Sequence, residues 1–551
     1  MPVLRFKPGR VEEALRLPLG EALAIAERLK IEVEQTSEGY VEFEIEVDRP
    51  DMYSLEGIAR QVDGLLERRV GLAEYTIVDS GFKLRVEHVS SRPYIAAAVI
   101  WDVNVDEDYL EELIQFQEKL HLSHCGNRER AAIGLHDLDK VPSKQLTYRE
   151  AGLDEIRFKP LGGEREMSIR EVLSETEQGR KYGSISLNEG RHPVLLSGYD
   201  VISLPPVINS ELTRIEPGTK HILVDVTGTD KRLVLDILSI IAANLAERSS
   251  SRRIGVVEVE APWGRFREPT LKPWKMSIEP SYVSGLLGAE LTAEEVVAHL
   301  RRMRFGAQPR EAIVDVLVPR YRVDILHPAD LAEEVALSIG IDNLEPKKPS
   351  LMLRGRLLGR RPWERQARII LVGLGFVEVI GYSLVECQEH SRLSGVPLNQ
   401  LVKIQNPVGP ESACLRASLL PQLLRLAARN QHRIPVKAFE LGEALRATGE
   451  GETGVRQENK LAIIMLDNKV GYEDIQAVVY TLIRLLGDEA VRIESITHPL
   501  MIEGRTAALE TRMGIRALLG EVKPEVLEKL GIEYPVAAAE LDYTGLRVPR
   551  P

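Results

Sequence analysis

Hydrophobic and polar residues alternate strictly in the segment VEFEIEV at 41–47, with apolar side chains on one face and three glutamates on the other. This period of two predicts a half-buried β-strand. Beyond Pro50, apolar residues recur at helical spacing over 55–66, and Ser54 stands at the position of a helix N-cap. Strand, turn and helix together predict a small N-terminal α/β unit that spans residues 1–83.

A longer mixed pattern occupies residues 84–265. The runs YIAAAVIWDV and HILVDV are almost entirely apolar, which is typical of buried strands. Helical spacing predicts two long helices, near 107–120 and 230–247. Prolines divide the connections between these elements, so the segment is predicted to form a central domain of its own.

Two further domains follow. Residues 270–346 are predicted to form a small helical, winged-helix-like domain, in which Thr292 caps a helix with two glutamates in its first turn. After the linker LEPKKPS, residues 350–551 are predicted to form one more α/β domain. The fold class predicted for the chain is therefore a multidomain α/β (α+β) protein.

The composition is that of a globular protein with an acidic balance. Of the 551 residues 44% are hydrophobic, and 71 basic against 83 acidic residues give a net charge of −12. Bulk electrostatics therefore oppose unspecific nucleic-acid binding. One local basic segment consists of six arginines: Arg354, Arg356, Arg360, Arg361, Arg365 and Arg368. It is either a solvated basic face or a contact for RNA or a partner protein.

Cysteine usage and the N-terminus bear on the compartment. Cys125, Cys387 and Cys414 are odd in number and far apart, with neither a CxxC spacing nor a disulfide framework. This pattern is typical of a reducing compartment. The first twenty residues show no signal-peptide pattern, and no run of about 18 apolar residues predicts a membrane span. We therefore expect a cytoplasmic protein without a membrane partner.

A group of four carboxylates marks the stretch YRVDILHPADLAEEVALSIGIDNL at 321–344. A helix that has Asp330 as its N-cap and Glu333 as the capping-box partner explains part of the group, because negative charge is favourable at the positive end of a helix dipole. This interpretation leaves Asp324 and Glu334 without a role.

A second stretch, HILVDVTGTD, interrupts an apolar strand with a carboxylate. An ionised Asp225 is costly there unless something pairs with it, and Thr227 lies on the same face of the strand. Taken by themselves, both side chains are interpreted as holding the turn at Gly228. No general motif for nucleotide binding or hydrolysis occurs, neither GxxxxGK[ST] nor HExxH nor GxSxG.

Landmarks in the same order along the whole chain resemble the beta subunit family of phenylalanine–tRNA ligase, in its archaeal and eukaryotic branch. The four carboxylates stand in the family's Arg-x-Asp-Ile strand end and Asp-x-x-Glu-Glu helix, and the run DILHP is characteristic of that branch. The other landmarks are RPDMYSLEGIARQV at 49–62, AAIGLHDLDKVP at 131–142, PPVINSELTRI with VDVTGTD at 205–230, VKIQNPVGPESACLRASLLPQLL at 402–424, FELGEAL at 439–445 and LLGEVKPEVLEKLGI at 518–532.

The resemblance implies a division of labour between two chains. An alpha subunit would attach phenylalanine to its tRNA at the cost of ATP, and this chain would pair with it, usually as an alpha2 beta2 heterotetramer. Residues 84–265 would form an editing domain that hydrolyses mischarged tyrosyl-tRNA. Residues 350–551 would adopt the antiparallel class II ligase fold without an active site, and no GxGxxR motif occurs there.

Two alternatives stay open at this point. A free-standing aminoacyl-tRNA hydrolase would need only the central domain and would leave residues 350–551 unexplained. A scaffold or RNA-binding subunit would keep the partner contacts and have an inactive editing pocket. A size measurement with and without the alpha partner distinguishes a free-standing hydrolase from a subunit of a complex. An assay for hydrolysis of tyrosyl-tRNA distinguishes an active editing pocket from an inactive one.

The resemblance also implies two sets of site residues. Mg²⁺ prefers oxygen ligands and keeps several of its waters. The implied magnesium ligands are Asp324, Asp330, Glu333 and Glu334. In the editing pocket Asp225 would meet the ammonium group of the substrate. Hydrogen bonds would come from Thr227, Asn209 and Ser210.

The segment GLHDLDK also contains residues of metal-binding type. His136, Asp137 and Asp139 are interpreted as part of a surface turn, and no role is assigned to them.

Overall fold

A computed structural model describes residues 2–35, 39–348, 355, 357 and 359–546. The protein is a mixed α/β protein with several separate sheets, as the sequence predicts. Two compact units divide the chain, residues 1–349 and residues 350–551.

The first unit begins with a three-stranded antiparallel sheet and three helices. These elements are β1 (Val3–Phe6), α1 (Pro8–Leu15), α2 (Leu19–Glu27), β2 (Glu32–Gln35), β3 (Val41–Glu44) and α3 (Leu55–Leu65). Strand β3 lies between β1 and β2. Ser54 caps α3 as predicted, because its hydroxyl oxygen accepts a hydrogen bond from the Gly57 amide.

The alternating segment at 41–47 is only partly a strand. Val41, Phe43 and Ile45 are buried as predicted. The strand ends at Glu44, however, and Val47 is 48% exposed. A 3-10 helix at Pro50–Met52 follows closely, so the chain leaves the sheet before the fourth apolar residue.

A ten-stranded sheet forms the largest part of the first unit. Its region contains β4 (Thr76–Val86), β5 (Tyr94–Ile100), α4 (Glu107–Leu122), β6 (Ala131–Asp137), β7 (Gln145–Gly152), β8 (Arg157–Phe158), β9 (Met167–Ser168), α5 (Ile169–Glu175), α6 (Glu177–Tyr182), β10 (Arg191–Ser197), β11 (Asp200–Leu204), β12 (Ile208–Asn209), β13 (Ile222–Gly228), α7 (Lys231–Arg248), β14 (Arg253–Ala261) and β15 (Gly264–Glu268). The strand order is β12-β11-β10-β7-β4-β14-β5-β13-β6, β15 pairs with β14, and β8 and β9 pair separately.

Strand β13 has a core on each face. Val224 and Val226 pack in the core that contains helix α7, whereas Leu223 packs in the core on the opposite face. Because successive side chains of a strand point to opposite faces, Asp225 and Thr227 share the face of Leu223. The carboxylate of Asp225 and the hydroxyl of Thr227 are therefore directed away from α7.

Two predicted boundaries of this region need correction. Strand β4 begins at Thr76 and crosses the predicted boundary at 83, because its backbone pairs with β14 and β7 of the large sheet. Strand β15 likewise continues past residue 265 to Glu268. Local composition shows no break at either point, since the pairing partners are distant in sequence.

A small sheet with three helices completes the first unit. Its elements are β16 (Trp274–Ile278), α8 (Pro280–Leu287), α9 (Ala293–Arg302), β17 (Gly306–Arg310), β18 (Ile313–Val318) and α10 (Pro328–Ile339). The sheet is antiparallel in the order β16-β18-β17. Thr292 and Glu295 form the capping box of α9, as predicted for Thr292.

The second unit is built on a seven-stranded sheet. Its elements are α11 (Arg361–Gly373), β19 (Val377–Glu378), β20 (Leu384–Val385), α12 (Cys387–Ser394), β21 (Cys414–Leu415), α13 (Leu420–Asn430), β22 (Val436–Ala447), β23 (Val455–Leu466), α14 (Tyr472–Leu485), β24 (Ala490–Ser495), β25 (Met501–Thr511), β26 (Arg516–Val522), α15 (Pro524–Lys529) and β27 (Val536–Asp542). The order is β19-β22-β23-β27-β26-β25-β24, and every pair is antiparallel except β19 with β22.

The expectation of no disulfide is wrong. Cys387 and Cys414 are joined, with their Cα atoms 5.3 Å apart. The reason is the pairing of β20 with β21, in which Val385 lies opposite Cys414 and brings together cysteines separated by 27 positions. The argument from cysteine pattern to a reducing compartment therefore no longer holds.

Within the described part of the chain, helices long and apolar enough to cross a membrane do not occur.

Candidate functional site

A cavity of about 440 Å³ opens on the large sheet next to strands β6 and β13. Helices α4 and α6 and the segment between β11 and β12 complete its walls. Its polar wall residues include Glu118, Arg128, Tyr182, Ser203, Asn209 and Asp225. Of the four residues predicted for an editing pocket, Asp225 and Asn209 line this cavity, and Thr227 and Ser210 lie outside its walls.

Asp225 is the buried acid of the cavity wall and is only 1% exposed. It lies on β13, opposite Ala97 of β5 and Gly134 of β6. A Cβ atom on Gly134 would lie 2.1 Å from Oδ1 of Asp225. The carboxylate therefore occupies space that only a glycine on the neighbouring strand leaves open.

A histidine on the same neighbouring strand pairs with this carboxylate. Nε2 of His136 lies 2.8 Å from Oδ1 of Asp225, and Nδ1 of His136 lies 2.8 Å from Oγ1 of Thr213. His136 and Thr213 are both fully buried. The pairing accounts for the presence of a carboxylate in an apolar strand, because a buried charge is tolerated when it is hydrogen-bonded.

Thr227 has a different partner. Its hydroxyl accepts a hydrogen bond of 3.0 Å from Nε of the buried Arg92. Arg92 also donates to the carbonyl oxygens of Arg128 and Glu129, at 2.8 and 3.3 Å. Burial lowers the pKa of Arg92. Thr227 thus helps to fix the loop that carries Arg128 into the cavity wall.

Asn209 lines the cavity, whereas Ser210 does not. Nδ2 of Asn209 donates to the carbonyl oxygen of Leu135, and its Oδ1 accepts from the Ser203 hydroxyl at 3.0 Å. An amide has a second hydrogen and a second lone pair, so both groups retain capacity for a ligand. Ser210 instead donates to the carbonyl oxygen of Lys159 and caps a short 3-10 helix.

Arg128 forms one rim of the cavity. It donates to the carbonyl oxygens of Pro206 and Val207 at 3.2 Å and to Glu118 at 2.6 Å. Its guanidinium lies over the ring of Tyr182 at 4.4 Å. Burial alone would raise the pKa of Glu118, but the hydrogen bond with His121 and the charge of Arg128 lower it to about 2. Glu118 and Arg128 are therefore an ion pair at neutral pH.

The four predicted magnesium ligands occur at a second place, around α10. The expectation that Asp330 is the N-cap of this helix is wrong. His327 is the N-cap and Pro328 occupies the first helical position, which suits its fixed φ and missing N–H. Asp330 stands at the third position, and its Oδ2 accepts from the backbone amides of Leu326 and His327, both at 2.7 Å.

The remaining three carboxylates are paired with basic side chains. The buried Arg322 binds Asp324 at 2.6 Å and Glu334 at 2.5 Å. Burial alone would lower the pKa of Arg322, but these two carboxylates raise it well above its ordinary value. Glu333 pairs with Lys30 at 2.8 Å. Each member of the carboxylate cluster is thus already engaged.

In this arrangement the four residues do not form a metal chelate. No group of three or more His, Cys, Asp or Glu side chains within the described ranges is arranged to hold a metal ion. A cavity of about 50 Å³ nevertheless lies beside the cluster, and Glu46 and Asp48 line it as well. Burial and the charges of Glu46 and Asp324 raise the pKa of Asp48, whereas Lys30 and Arg49 oppose the rise.

The basic segment is largely neutralised where the structure describes it. Arg354 and Arg356 lie outside the described residues. Arg360 and Arg361 both pair with the buried Glu364, and Arg368 pairs with Glu378. Arg365 is exposed.

Sequence reasoning missed His136, Gly134 and Thr213. The signal for two of them was present in AAIGLHD, where Gly134 and His136 stand two positions apart and hence on one face of an otherwise apolar strand. The interpretation of His136, Asp137 and Asp139 as a surface turn is wrong for His136, which is buried within β6. Asp137 is buried at the end of the same strand and caps a 3-10 helix, where its carboxylate accepts from the Asp139 amide.

Two family models match the chain. Residues 276–341 match the tRNA synthetase B5 domain, and residues 345–543 match the phenylalanyl tRNA synthetase beta chain CLM domain. Among solved structures, an N-terminal fragment of the phenylalanyl-tRNA synthetase beta subunit from Pyrococcus horikoshii matches with a TM-score of 0.58 at 30% identity, over 62% of this chain and 100% of the fragment.

Curated relatives match over almost the whole length. The phenylalanine–tRNA ligase beta subunit of Aeropyrum pernix is 46% identical over 549 residues, which are 98% of either chain. The same subunit of Saccharolobus solfataricus is 39% identical over 520 residues, which are 94% of this chain and 93% of that one. The chain therefore belongs to the phenylalanine–tRNA ligase beta subunit family.

Proposed function

We propose that this chain supports the ATP-dependent attachment of phenylalanine to its tRNA by an alpha subunit, and that it hydrolyses mischarged tyrosyl-tRNA itself. The observation that carries the second part is the buried carboxylate of Asp225 in the wall of the 440 Å³ cavity. Its Oδ1 is bound to His136, and its Oδ2 makes no hydrogen bond to the described residues. The reaction would take place in the cytoplasm, where charged tRNA is used.

The need for a second site follows from the chemistry of selection. Tyrosine differs from phenylalanine by one hydroxyl group. A hydrophobic pocket rejects such an addition by only ~10²-fold, which is far less than accurate translation requires. A separate cavity that accepts the tyrosyl ester and hydrolyses it closes the gap.

The cavity has the groups that such a hydrolysis needs. An aminoacyl ester is already activated, so the site has to hold the ester and a water in place. Water adds to the carbonyl carbon, the bond to the ribose oxygen breaks, and that oxygen takes up a proton. Asp225 would hold the ammonium group and Asn209 would bind the ester. A covalent nucleophile is not required, and the walls described here contain no histidine or cysteine.

The test is Asp225→Asn in the enzyme assembled with its alpha partner. One hydrogen bond to a charged group is worth about 1.5–3 kcal/mol, so deacylation of tyrosyl-tRNA should fall roughly tenfold to hundredfold. Phenylalanine charging should stay near normal. Asp137→Asn is the matched control, because this buried carboxylate of the same region lies outside the cavity.

Two outcomes would change the assignment. Unaltered deacylation by Asp225→Asn would favour the alternative of a scaffold with an inactive pocket. Equal loss of charging and deacylation would mean that Asp225 only holds the strand and its turn.

We further propose that the alpha subunit binds the second unit at the segment that follows helix α11. Val377, Ile380 and Tyr382 are 64%, 92% and 86% exposed, and apolar side chains clustered at a surface are typical of a protein interface. Ile380→Asp should weaken the complex with the alpha chain in a size measurement. Val408→Asp, at a fully exposed valine elsewhere in this unit, should not.

The division of labour has its own test. The chain alone should catalyse no phenylalanine-dependent ATP–pyrophosphate exchange. Exchange by the pure subunit would refute the assignment of the synthetic step to the alpha partner. The heterotetramer that the resemblance implies would be tested by the same size measurement on the complex.

Magnesium at the carboxylate cluster stays a prediction. The six carboxylates that line the small cavity favour a cation, whereas the ion pairs of Asp324 and Glu334 with Arg322 oppose direct chelation. If Mg²⁺ binds the folded chain, it should raise the melting temperature by mass action, and Asp324→Asn with Glu334→Gln should abolish the rise. A melting temperature that does not depend on Mg²⁺ would leave the cluster as an ion-pair network.

A further inference from the structure

We propose that His136, supported by Thr213, is a positioning residue that holds the carboxylate of Asp225 in the orientation that the editing reaction uses. This inference rests on the proposed editing function. It concerns two residues to which sequence reasoning assigns no role and which do not line the cavity themselves.

The hydrogen bonds of the three residues have a defined direction. An ionised carboxylate can only accept, so Nε2 of His136 must carry the hydrogen of the 2.8 Å contact with Oδ1 of Asp225. When the ring is neutral, Nδ1 is then the acceptor and takes the hydrogen of the Thr213 hydroxyl, also at 2.8 Å. Thr213 therefore favours the one tautomer of His136 that donates to Asp225.

The strands dictate this arrangement. Asp225 lies opposite Gly134, and His136 is two positions further along the same strand, so its ring reaches the carboxylate diagonally. Gly134 leaves the space through which the bond forms, since a Cβ there would be 3.0 Å from Nε2 of His136 and 2.1 Å from Oδ1 of Asp225. Asp225, His136 and Thr213 are all buried, so water does not compete for the two hydrogen bonds that join them.

The two oxygens of the Asp225 carboxylate therefore differ in their hydrogen-bond partners. His136 occupies Oδ1, and Oδ2 has no partner among the described residues while the side chain lines the cavity. A ligand that presents an ammonium group can therefore bind Oδ2 without displacing a protein group. Without His136, the carboxylate would be free to rotate and would meet a ligand in several orientations.

Two near-isosteric amides test this role in the assembled enzyme. Glutamine places its amide nitrogen near the position of Nε2, and asparagine places its amide near Nδ1. His136→Gln should keep the donor to Asp225 and retain deacylation of tyrosyl-tRNA within about threefold. His136→Asn should lose the donor and slow deacylation roughly tenfold to hundredfold, the usual effect of losing one hydrogen bond to a charged group.

A second substrate separates positioning from general damage to the fold. N-acetyltyrosyl-tRNA has no ammonium group for Asp225 to hold, so His136→Asn should leave its slower hydrolysis unchanged. In the double variant with Asp225→Asn, the loss should be no greater than with Asp225→Asn alone, because both changes remove the same contact.

The results would overturn the inference in two ways. Equal activity of His136→Gln and His136→Asn would show that the donor at Nε2 has no function. Equal slowing of both esters by His136→Asn would show a structural role only. Failure of the proposed function looks different, since Asp225→Asn itself would then edit at the normal rate. If Asp225→Asn is impaired and His136→Asn is not, only the role of His136 is refuted.

Discussion

Gly134→Ala tests the cavity from the opposite strand without removing any polar group. The new Cβ would lie 2.1 Å from Oδ1 of Asp225 and 2.9 Å from its Cγ, distances that no real contact adopts. The carboxylate must therefore move away, and its 2.8 Å hydrogen bond with His136 must break. Gly134 lies on the edge strand β6, whose backbone is held by its pairing with β13, so we expect the Asp225 side chain to take up the shift.

The magnitude has two parts. Overpacking a dense interior usually costs about 1–3 kcal/mol. Loss of a hydrogen bond to a charged group adds about 1.5–3 kcal/mol. If the carboxylate swings fully away, the first cost is relieved and the second remains. We therefore expect the free energy of unfolding to fall by at least about 1.5 kcal/mol, and deacylation of tyrosyl-tRNA to fall at least roughly tenfold.

The assay compares deacylation, phenylalanine charging and thermal melting of the assembled enzyme. Gly285→Ala on helix α8 is the matched control, since no atom lies within 4 Å of the added methyl group. In a helix this substitution should stabilise by up to about 1 kcal/mol. Normal deacylation by Gly134→Ala would refute the reasoning, because the carboxylate of Asp225 would then be dispensable where the structure puts it.

Three further changes should have measurable effects. Burial and the charge of Glu112 raise the pKa of Glu56 from 4.5 to about 7. Between these pH values the folded chain binds a proton that the unfolded chain has lost, so stability falls as pH rises from about 4.5 to 7. Glu56→Gln should remove this pH-dependent loss of up to about 3 kcal/mol, measured by melting at different pH values. Cys387→Ser should lower stability by roughly 3 kcal/mol, and a reductant should then have no further effect. Arg322→Met should cost about 3–5 kcal/mol in denaturant unfolding, because the buried Glu334 and the half-buried Asp324 lose their shared short ion pair. Lys30→Met, at a more exposed pair, should cost less than about 1 kcal/mol.

Long apolar and amphipathic segments could be predicted from the sequence because their signals are local. The helices expected near 107–120 and 230–247 occur at Glu107–Leu122 and Lys231–Arg248, and HILVDV lies in a strand. The N-cap of α10 could not be assigned correctly. Asp330 is the stronger capping residue by preference, but its side chain reaches back from the third position while His327 takes the cap.

Contacts between distant segments account for the rest of what the sequence did not reveal. His136 and Asp225 are 89 positions apart, and their contact depends on the exact register of β6 against β13. Arg322 was not singled out although it neutralises half of the carboxylate cluster. A periodicity argument identifies which face a residue is on, whereas the identity of its partner depends on which strands pair.

Other long-range contacts bear on the extent of the proposed editing domain. Asn244 of helix α7, which follows β13 directly, accepts from Arg60 at 2.9 Å and donates to the backbone carbonyl of Asp51 at 3.0 Å. All three residues are buried, and a buried polar group that loses its partner costs about 1–3 kcal/mol. The helix behind the cavity therefore depends on residues that precede the predicted boundary at 83. Because β4 also crosses that boundary, we expect the smallest stable form of this proposed domain to include the N-terminal region.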